Sequence, residues 1–394
     1  MKVRVDCLSN LSALSPAHWN HLVPNSNPFL RHEFLAGLEE THCVGPRETG
    51  WTPRHLVIRP EGEPAPIAAL LLYEKYDSYG EYIFDWGWAR AAQAAQIPYY
   101  PKLVSAIPFT PATGPRLLIA PDAPLPADQL IGMLLDATHT LADSIGASST
   151  HILFHPQNQA APLTRKGFDA RSSFQYHWEC APHWSAFEDY LQDMRASSRK
   201  QIRRERRLAQ SHGLTLRTLR GEEFSPTHWS ALWRFYRTNA YFKGAIPYLS
   251  EAFFSYLRTH LSDYVLGTFA ESEQGPVAGA LFFCAGDQLF GRYWGTERYM
   301  ECMHFELCYY QPIEWAITHG IRRFEAGAQG DHKLKRGFLP TPCHSSHWIR
   351  DPNLARAVQD FLPEEARNIQ ETIRLLNAHS PFKITPETSA EEAG

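Results

Sequence analysis

The sequence predicts an α/β (α+β) protein built as two tandem copies of one αβ unit, with mixed, mostly antiparallel sheets flanked by helices. Three observations carry this expectation. The chain has 394 residues, about twice the commonest domain size. Two landmarks occur twice, in the same order. Each half opens on helical periodicity and closes on strand-like runs.

The first landmark is a basic-Gly-Phe start followed by a His-Trp end at identical spacing. It reads KGFDARSSFQYHW at 166–178 and RGFLPTPCHSSHW at 336–348. The second lies upstream, as EPAPIAALLLYEKYDSYGEY (63–82) and QGPVAGALFFCAGDQLFGRY (274–293). Each copy has a Pro-containing turn, an apolar strand of small residues, then glycine, a charged residue and tyrosine. The first half carries an insertion between the landmarks that includes 88–117. The division expected from this is an N-terminal domain at 1–180, a C-terminal domain at 181–350 and a C-terminal helix with a loose tail at 351–394.

Individual elements follow from local signals. Ser15 with Pro16 marks a helix start, and Phe34, Leu35 and Leu38 have helical spacing in the next segment. Residues 184–213 read as a helix stopped by Gly213, with a break at Ser197-Ser198. Residues 225–242 form a helix opening on Ser-Pro, and Ser250 caps another over 248–261. DYVLGTFAE, PVAGALFFCAG and QLFGRYWGT read as consecutive strands. A helix over 303–320 should kink at Pro312, which deletes a hydrogen bond. IRRFEAGA is the strand after it. The tail at 379–394 lacks core residues.

Composition narrows the class. Hydrophobic residues make up 44% and aromatics 13% of the chain, enough for a packed core and against disorder. A formal charge of −4 leaves any nucleic-acid affinity to a local patch. Seven cysteines form no CxxC pair and are odd in number, which suits free thiols in a reducing compartment. No apolar run has the length of a signal peptide or a membrane span. A soluble, cytoplasmic protein is expected.

The order of elements in each half resembles the Gcn5-related N-acetyltransferase (GNAT) fold, and the doubling resembles the Fem-type transferases. SSRKQIRRERRLAQSHGLTL (197–216) is similar to the Fem signature. SYGEYIFDWGWA (78–89), YYPKL (99–103), PFTPATGPRLL (108–118), FGRYWG (290–295), HFELCYYQ (304–311) and GAQGDHKLKRGF (327–338) resemble a bacterial family of Fem-like predicted N-acyltransferases. The resemblance covers about 25–350. It implies acyl transfer, most directly of an aminoacyl group, to an amine-bearing small molecule or peptidoglycan precursor. It further implies aminoacyl-tRNA rather than acetyl-CoA as donor, tRNA as a partner, and no permanently bound cofactor. The glycine-rich pyrophosphate loop of acetyl-CoA enzymes has no counterpart here. Its place is taken by GTERYMECMHFE (295–306), which has one glycine. Two rivals stay open: an acyl-CoA-dependent N-acetyltransferase, and a non-catalytic adaptor of the same fold that binds RNA or a cell-wall precursor.

Acyl transfer to an amine needs a proton acceptor, donors for an oxyanion, and help for the leaving group. The stretch 324–338 offers all three. Glu325 sits on the strand; Gln329, Asp331, His332 and Lys333 follow, with glycines that permit close approach. Arg292 and Tyr293 end a neighbouring strand, and His304 and Glu306 open the next helix. Of these, Glu325, His332, Arg292, Tyr293 and Glu306 are the catalytic candidates. His304, Gln329, Asp331 and Lys333 are substrate-binding candidates, with Glu81 and Asp85 from the first half. Simpler roles compete: a surface ion pair for Glu325, a polar turn for 331–333, a helix cap for His304 and Glu306, and hydrogen-bonded burial for Glu81 and Asp85. The first copy reads FHPQNQAAPLTRKGF where the second has 324–338, so the polar set occurs once. Residues 195–207 hold seven Arg or Lys and one acid, spread over several faces. Arg199, Lys200, Arg203, Arg204 and Arg207 are the phosphate-binding candidates, against the simpler reading of a solvated face. No metal site is expected: His304 and Cys308 share a helix face, which is weak as a ligand pair.

Overall fold

The computed structural model describes residues 1–46, 48–327 and 330–383. The chain divides into two compact units. One comprises Met1–Phe174, Tyr248–Leu261 and Pro342–Glu371; the other comprises Gln175–Pro247, Ser262–Thr341 and Thr372–Gly394.

In the first unit, Val3–Leu8, His55–Pro60, Ala68–Leu70 and Leu117–Ile119 form a four-stranded antiparallel sheet in that order. Ala127–Ile145 is a 19-residue helix whose Leu130, Leu134 and Ala142 lie on one face. They pack with Leu56, Leu70, Leu103, Ile152 and Phe168 into one core. The helix ends at Gly146 in the left-handed region, the usual C-terminal stop. It connects two parallel strands, since Lys102–Ser105 pairs in parallel with Ser149–His155. Tyr73–Lys75 lies antiparallel on the far side of Lys102–Ser105.

The second unit repeats this logic. Thr215–Arg220, Val265–Ser272, Gly275–Ala285 and Gln288–Thr296 form an antiparallel ladder. Gln288–Thr296 then pairs in parallel with Arg323–Glu325, across the helical segment Met303–Thr318. In both units the returning strand leads to the duplicated landmark. Its glycines, Gly167 and Gly337, have φ of +81° and +76°, a backbone that L side chains resist. Each landmark feeds an 11-residue strand, Asp169–Glu179 and Leu339–Ile349.

Those two strands explain why the units do not follow the serial division at 180 and 350. The end of the first, His177–Glu179, pairs with Arg323–Glu325 of the second unit. The end of the second, His344–Ile349, pairs with Ser149–His155 of the first. Each half therefore donates its last strand to the sheet of the other half.

Two local expectations change. The break in 184–213 falls at Met194-Arg195, between helices Phe187–Asp193 and Ala196–Gln210, and not at the serines. Met194 is buried and bridges to Phe382, while the Arg195 N–H donates to Pro381 O at 2.8 Å. Tertiary pairing overrides local propensity there. Around Pro312 the helix does not simply kink. A π-helical turn, Glu306–Tyr310, precedes the α segment Gln311–Thr318, which has proline in its first turn. Proline is harmless in a first turn, whose N–H would be unpaired anyway. Of the C-terminal part, Pro352–Ala378 is one helix; residues 384–394 lie outside the described residues. No described helix is long and apolar enough to cross a membrane.

Candidate active site

The second unit's parallel strands pair only through Gln288–Phe290 and Arg323–Glu325. Gln288–Thr296 continues past that point without Arg323–Glu325 beside it, so the two strands part. The segments that follow them, and the π turn between them, supply the polar residues. A π turn is frequent at functional sites because its extra residue re-aims side chains.

Tyr309, from that turn, places its Oη 2.9 Å from His332 Nε2. The His304 and His332 rings lie 5.7 Å apart, edge to face. Burial, then His332 and Arg336, push His304 down to about 3. Burial, then Arg336 and Lys333, also lower His332. Both imidazoles are therefore neutral at pH 7. Burial pushes the Tyr309 phenol upward, so it stays protonated. Gly330 has φ +109°, and a Cβ there would come 2.5 Å from His332 Cε1. Only glycine lets the imidazole lie against the chain at this turn.

Lys333 is 5% exposed, and its Nζ donates to Gly327 O at 3.1 Å. Burial pushes its ammonium down to about 8, with Cys308 opposing and Lys243 reinforcing the shift. Tyr176 Oη donates to Asp331 Oδ1 at 3.3 Å, and Lys333 Nζ lies 5.9 Å over the Tyr176 ring. Arg336 anchors the segment. Its guanidinium lies 3.5 Å over the Phe305 ring, donates to His332 O at 2.6 Å and bonds Glu205 at 2.7 Å.

Glu325 is buried, 3.9 Å from His177 Nε2. His177 is pushed down to about 3 by burial, then by Arg323 and Lys333, and neither of its ring nitrogens has a hydrogen-bond partner among the described residues. Arg292 and Tyr293 occupy the stretch of strand beyond the parallel pairing, and Arg292 donates to Tyr293 Oη at 3.4 Å. Glu306 is fully buried and held by Arg206 at 3.1 Å, which also bonds Glu314 at 2.7 Å. Gln329 lies outside the described residues. The structure thus brings together His304, His332, Lys333 and Asp331. It adds Tyr309, Tyr176, His177 and Arg336, which sequence reasoning did not single out.

Glu81 and Asp85 belong to the first unit. They flank Lys102, whose Nζ bonds Glu81 Oε2 at 2.9 Å, Asp85 Oδ2 at 2.5 Å and Ser78 Oγ at 2.8 Å. Tyr99 Oη donates to Asp85 Oδ2 at 2.7 Å. Burial pushes Glu81 up to about 7, with Lys102 opposing. For Asp85 burial also pushes upward, but Lys102, His151 and the hydrogen bonds from Lys102 and Tyr99 together outweigh it and hold the carboxyl at about 2. Two carboxylates on one ammonium are thus shifted in opposite directions, Glu81 upward and Asp85 downward.

The basic helix is more ordered in its chemistry than the sequence suggested. Lys200, Arg203, Arg204 and Arg207 are exposed and spaced i, i+3, i+4 and i+7, so they share one face. Ile202, Glu205 and Ala209 are buried on the opposite face. Arg203 is paired with Glu188, and Arg199 donates to Met194 O at 2.6 Å.

Two units of this strand–helix–strand type define a tandem GNAT-like protein of mixed, mostly antiparallel sheets. The chain belongs to the FemAB-like family, described as peptidoglycan biosynthesis/recognition, whose model matches residues 10–384. It is similar in fold to the crystal structure of FemX, with a TM-score of 0.52, 11% identity, and coverage of 91% of this chain and 100% of that one. A conserved protein of unknown function from Bacteroides thetaiotaomicron is similar to the same degree: TM-score 0.52, 9% identity, 88% of this chain and 100% of that one. A tandem GNAT protein from the clavulanic acid biosynthesis pathway is more distant, at TM-score 0.45 and 11% identity, over 89% of this chain and 99% of that one. No curated protein is significantly similar in sequence.

Proposed function

We propose that the protein is an N-acyltransferase of Fem type. It moves an aminoacyl group from the ester of an aminoacyl-tRNA to an amine-bearing acceptor, and the chemistry occurs in the second unit. The observation that carries this is the neutral His332–Tyr309 pair beside the buried Lys333.

In the tautomer with His332 Nε2–H donating to Tyr309 Oη, Nδ1 has a lone pair to accept with and no hydrogen-bond partner among the described residues. The acceptor nitrogen attacks the ester carbonyl and gives its proton to Nδ1. The Lys333 ammonium donates to the developing oxyanion. As the ester C–O bond breaks, the imidazolium returns the proton to the leaving ribose oxygen. Asp331 and His304 border the acceptor, and Glu325 with His177 forms a second, buried polar pair 3.9 Å apart. The cationic stripe of Lys200, Arg203, Arg204 and Arg207 suits the phosphates of the donor. A peptidoglycan precursor is the acceptor consistent with the family description.

The test is transfer of radiolabelled amino acid from a charged tRNA pool to peptidoglycan-precursor amines. Labelled acetyl-CoA runs in parallel. Transfer from tRNA that His332→Ala reduces about 10²-fold or more supports the proposal. Transfer from acetyl-CoA alone overturns it, and so does acceptor binding without any transfer.

A further inference from the structure

The first unit contains a cavity of about 430 Å³ that the acyl-transfer reading does not use. Five aromatic rings line it: Tyr76, Tyr79, Trp86, Tyr99 and Tyr100. Three of them are unusually exposed for their size, Tyr76 at 62%, Tyr79 at 57% and Trp86 at 42%. Bare aromatic surface concentrated at a cavity mouth marks a binding site more often than a monomer surface does.

The rings are set as corners. Tyr79 and Trp86 stand at 88° with centroids 5.4 Å apart, and Tyr99 and Tyr100 at 89° and 5.2 Å. A flat base or aromatic ligand is gripped best between parallel rings. A puckered ring, with C–H groups on more than one side, fits a right-angled corner.

The polar groups argue against a cationic guest. The wall carries one acid, Asp77, and one base, Arg90. Asp77 Oδ1 already accepts from Lys75 Nζ at 3.2 Å and from the Tyr79 N–H at 2.8 Å, so a cation would meet little uncompensated negative charge. Arg90 and Gln93 lie one turn apart on the helix Trp86–Ala94, on the face that also presents Trp86. Both are exposed, and their side chains make no hydrogen bond among the described residues. At the floor, Ser78 Oγ and Tyr100 Oη bond each other at 2.8 Å, and Lys102 Nζ holds the same Ser78 oxygen at 2.8 Å. That anchor fixes the floor hydroxyls in place. Apolar faces beside amide, guanidinium and hydroxyl groups match a polyhydroxylated ring.

We propose that this cavity is a saccharide-binding site, taking a pyranoside without cationic groups that stacks in the Tyr79–Trp86 corner and hydrogen-bonds to Arg90 and Gln93. It lies wholly in the first unit, so its test and that of acyl transfer fail independently. The test is saturation-transfer NMR on the full chain with methyl β-glucopyranoside, methyl N-acetyl-β-glucosaminide, uridine and choline. The expected result is transfer to the ring protons of at least one pyranoside. Its affinity should fall about tenfold in Trp86→Ala and in Tyr79→Ala, and several-fold in Gln93→Ala. Because Tyr79, Trp86 and Gln93 are exposed, unchanged thermal unfolding should accompany these losses. Three results would overturn the proposal: no saturation of either pyranoside, pyranoside binding indifferent to Trp86→Ala and Tyr79→Ala, or binding of uridine or choline alone.

Discussion

Replacing Lys333 with methionine is expected to make the protein more stable and inactive at once. The ammonium is 5% exposed and is pushed from its ordinary 10.5 down to about 8, mainly by burial. That gap corresponds to at most about 3 kcal/mol held against folding at neutral pH. Methionine fills similar space without the charge. It also leaves Gly327 O without its Lys333 donor, which takes back about 1 kcal/mol. The net expectation is a gain of about 2 kcal/mol at pH 7. The sign depends on pH in a defined way. Below pH 8 the wild-type lysine is charged in both folded and unfolded states, and the full penalty applies. As pH rises from about 8 to about 10.4, the folded state has lost its proton while the unfolded chain keeps one, so wild-type stability climbs. Urea unfolding of both proteins at pH 7 and pH 10 reads this directly. The advantage of Lys333→Met should shrink to nothing or reverse at pH 10. A variant no more stable at pH 7, or an advantage that ignores pH, would refute the placement of a desolvated ammonium here. Acyl transfer by the same variant should fall by about 10²-fold or more, as when an oxyanion donor is removed.

Two further outcomes follow from other charged groups. Lys102→Met strands two buried carboxylates, Glu81 and Asp85, and should cost about 3–5 kcal/mol by urea unfolding. Adding Glu81→Gln and Asp85→Asn should recover most of that loss. Neutralising Lys200, Arg204 and Arg207 to glutamine should lower the slope of log affinity for tRNA against log salt by about 2–3, as measured by filter binding. An unchanged slope would remove this helix face from donor binding.

The elements legible in the sequence were those with local causes. Ser15, Ser225 and Ser250 cap helices as their positions imply, each accepting a backbone N–H three residues on. The duplicated landmarks marked the two units because a left-handed glycine leaves a residue-level trace. The exchange of final strands left none, since pairing partners more than a hundred residues apart have no local signature. The same limit hid half of the site. His332 and Lys333 were visible as a polar run among glycines. Tyr309 was read only as part of a motif, because its aim depends on a π turn. His177 sits in a His-Trp landmark that shows up only as a repeat, and its contact with Glu325 arises only through the donated strand. Lys102 is a single lysine in an apolar strand, and nothing nearby announces that two carboxylates will cover it. The cationic stripe was different. Placing 200, 203, 204 and 207 on a helical period would have shown that most of the run shares a single face.

The donated strands also bear on how the protein emerges from the ribosome. Ser149–His155 is buried at every position, yet its antiparallel neighbour, His344–Ile349, is made almost two hundred residues later. No N-terminal fragment shorter than about 350 residues can close that sheet edge. Through most of synthesis the nascent first unit presents a strand meant for burial with an unmatched row of amides, the kind of edge that recruits foreign strands. Cutting the chain between its two halves would make that state permanent.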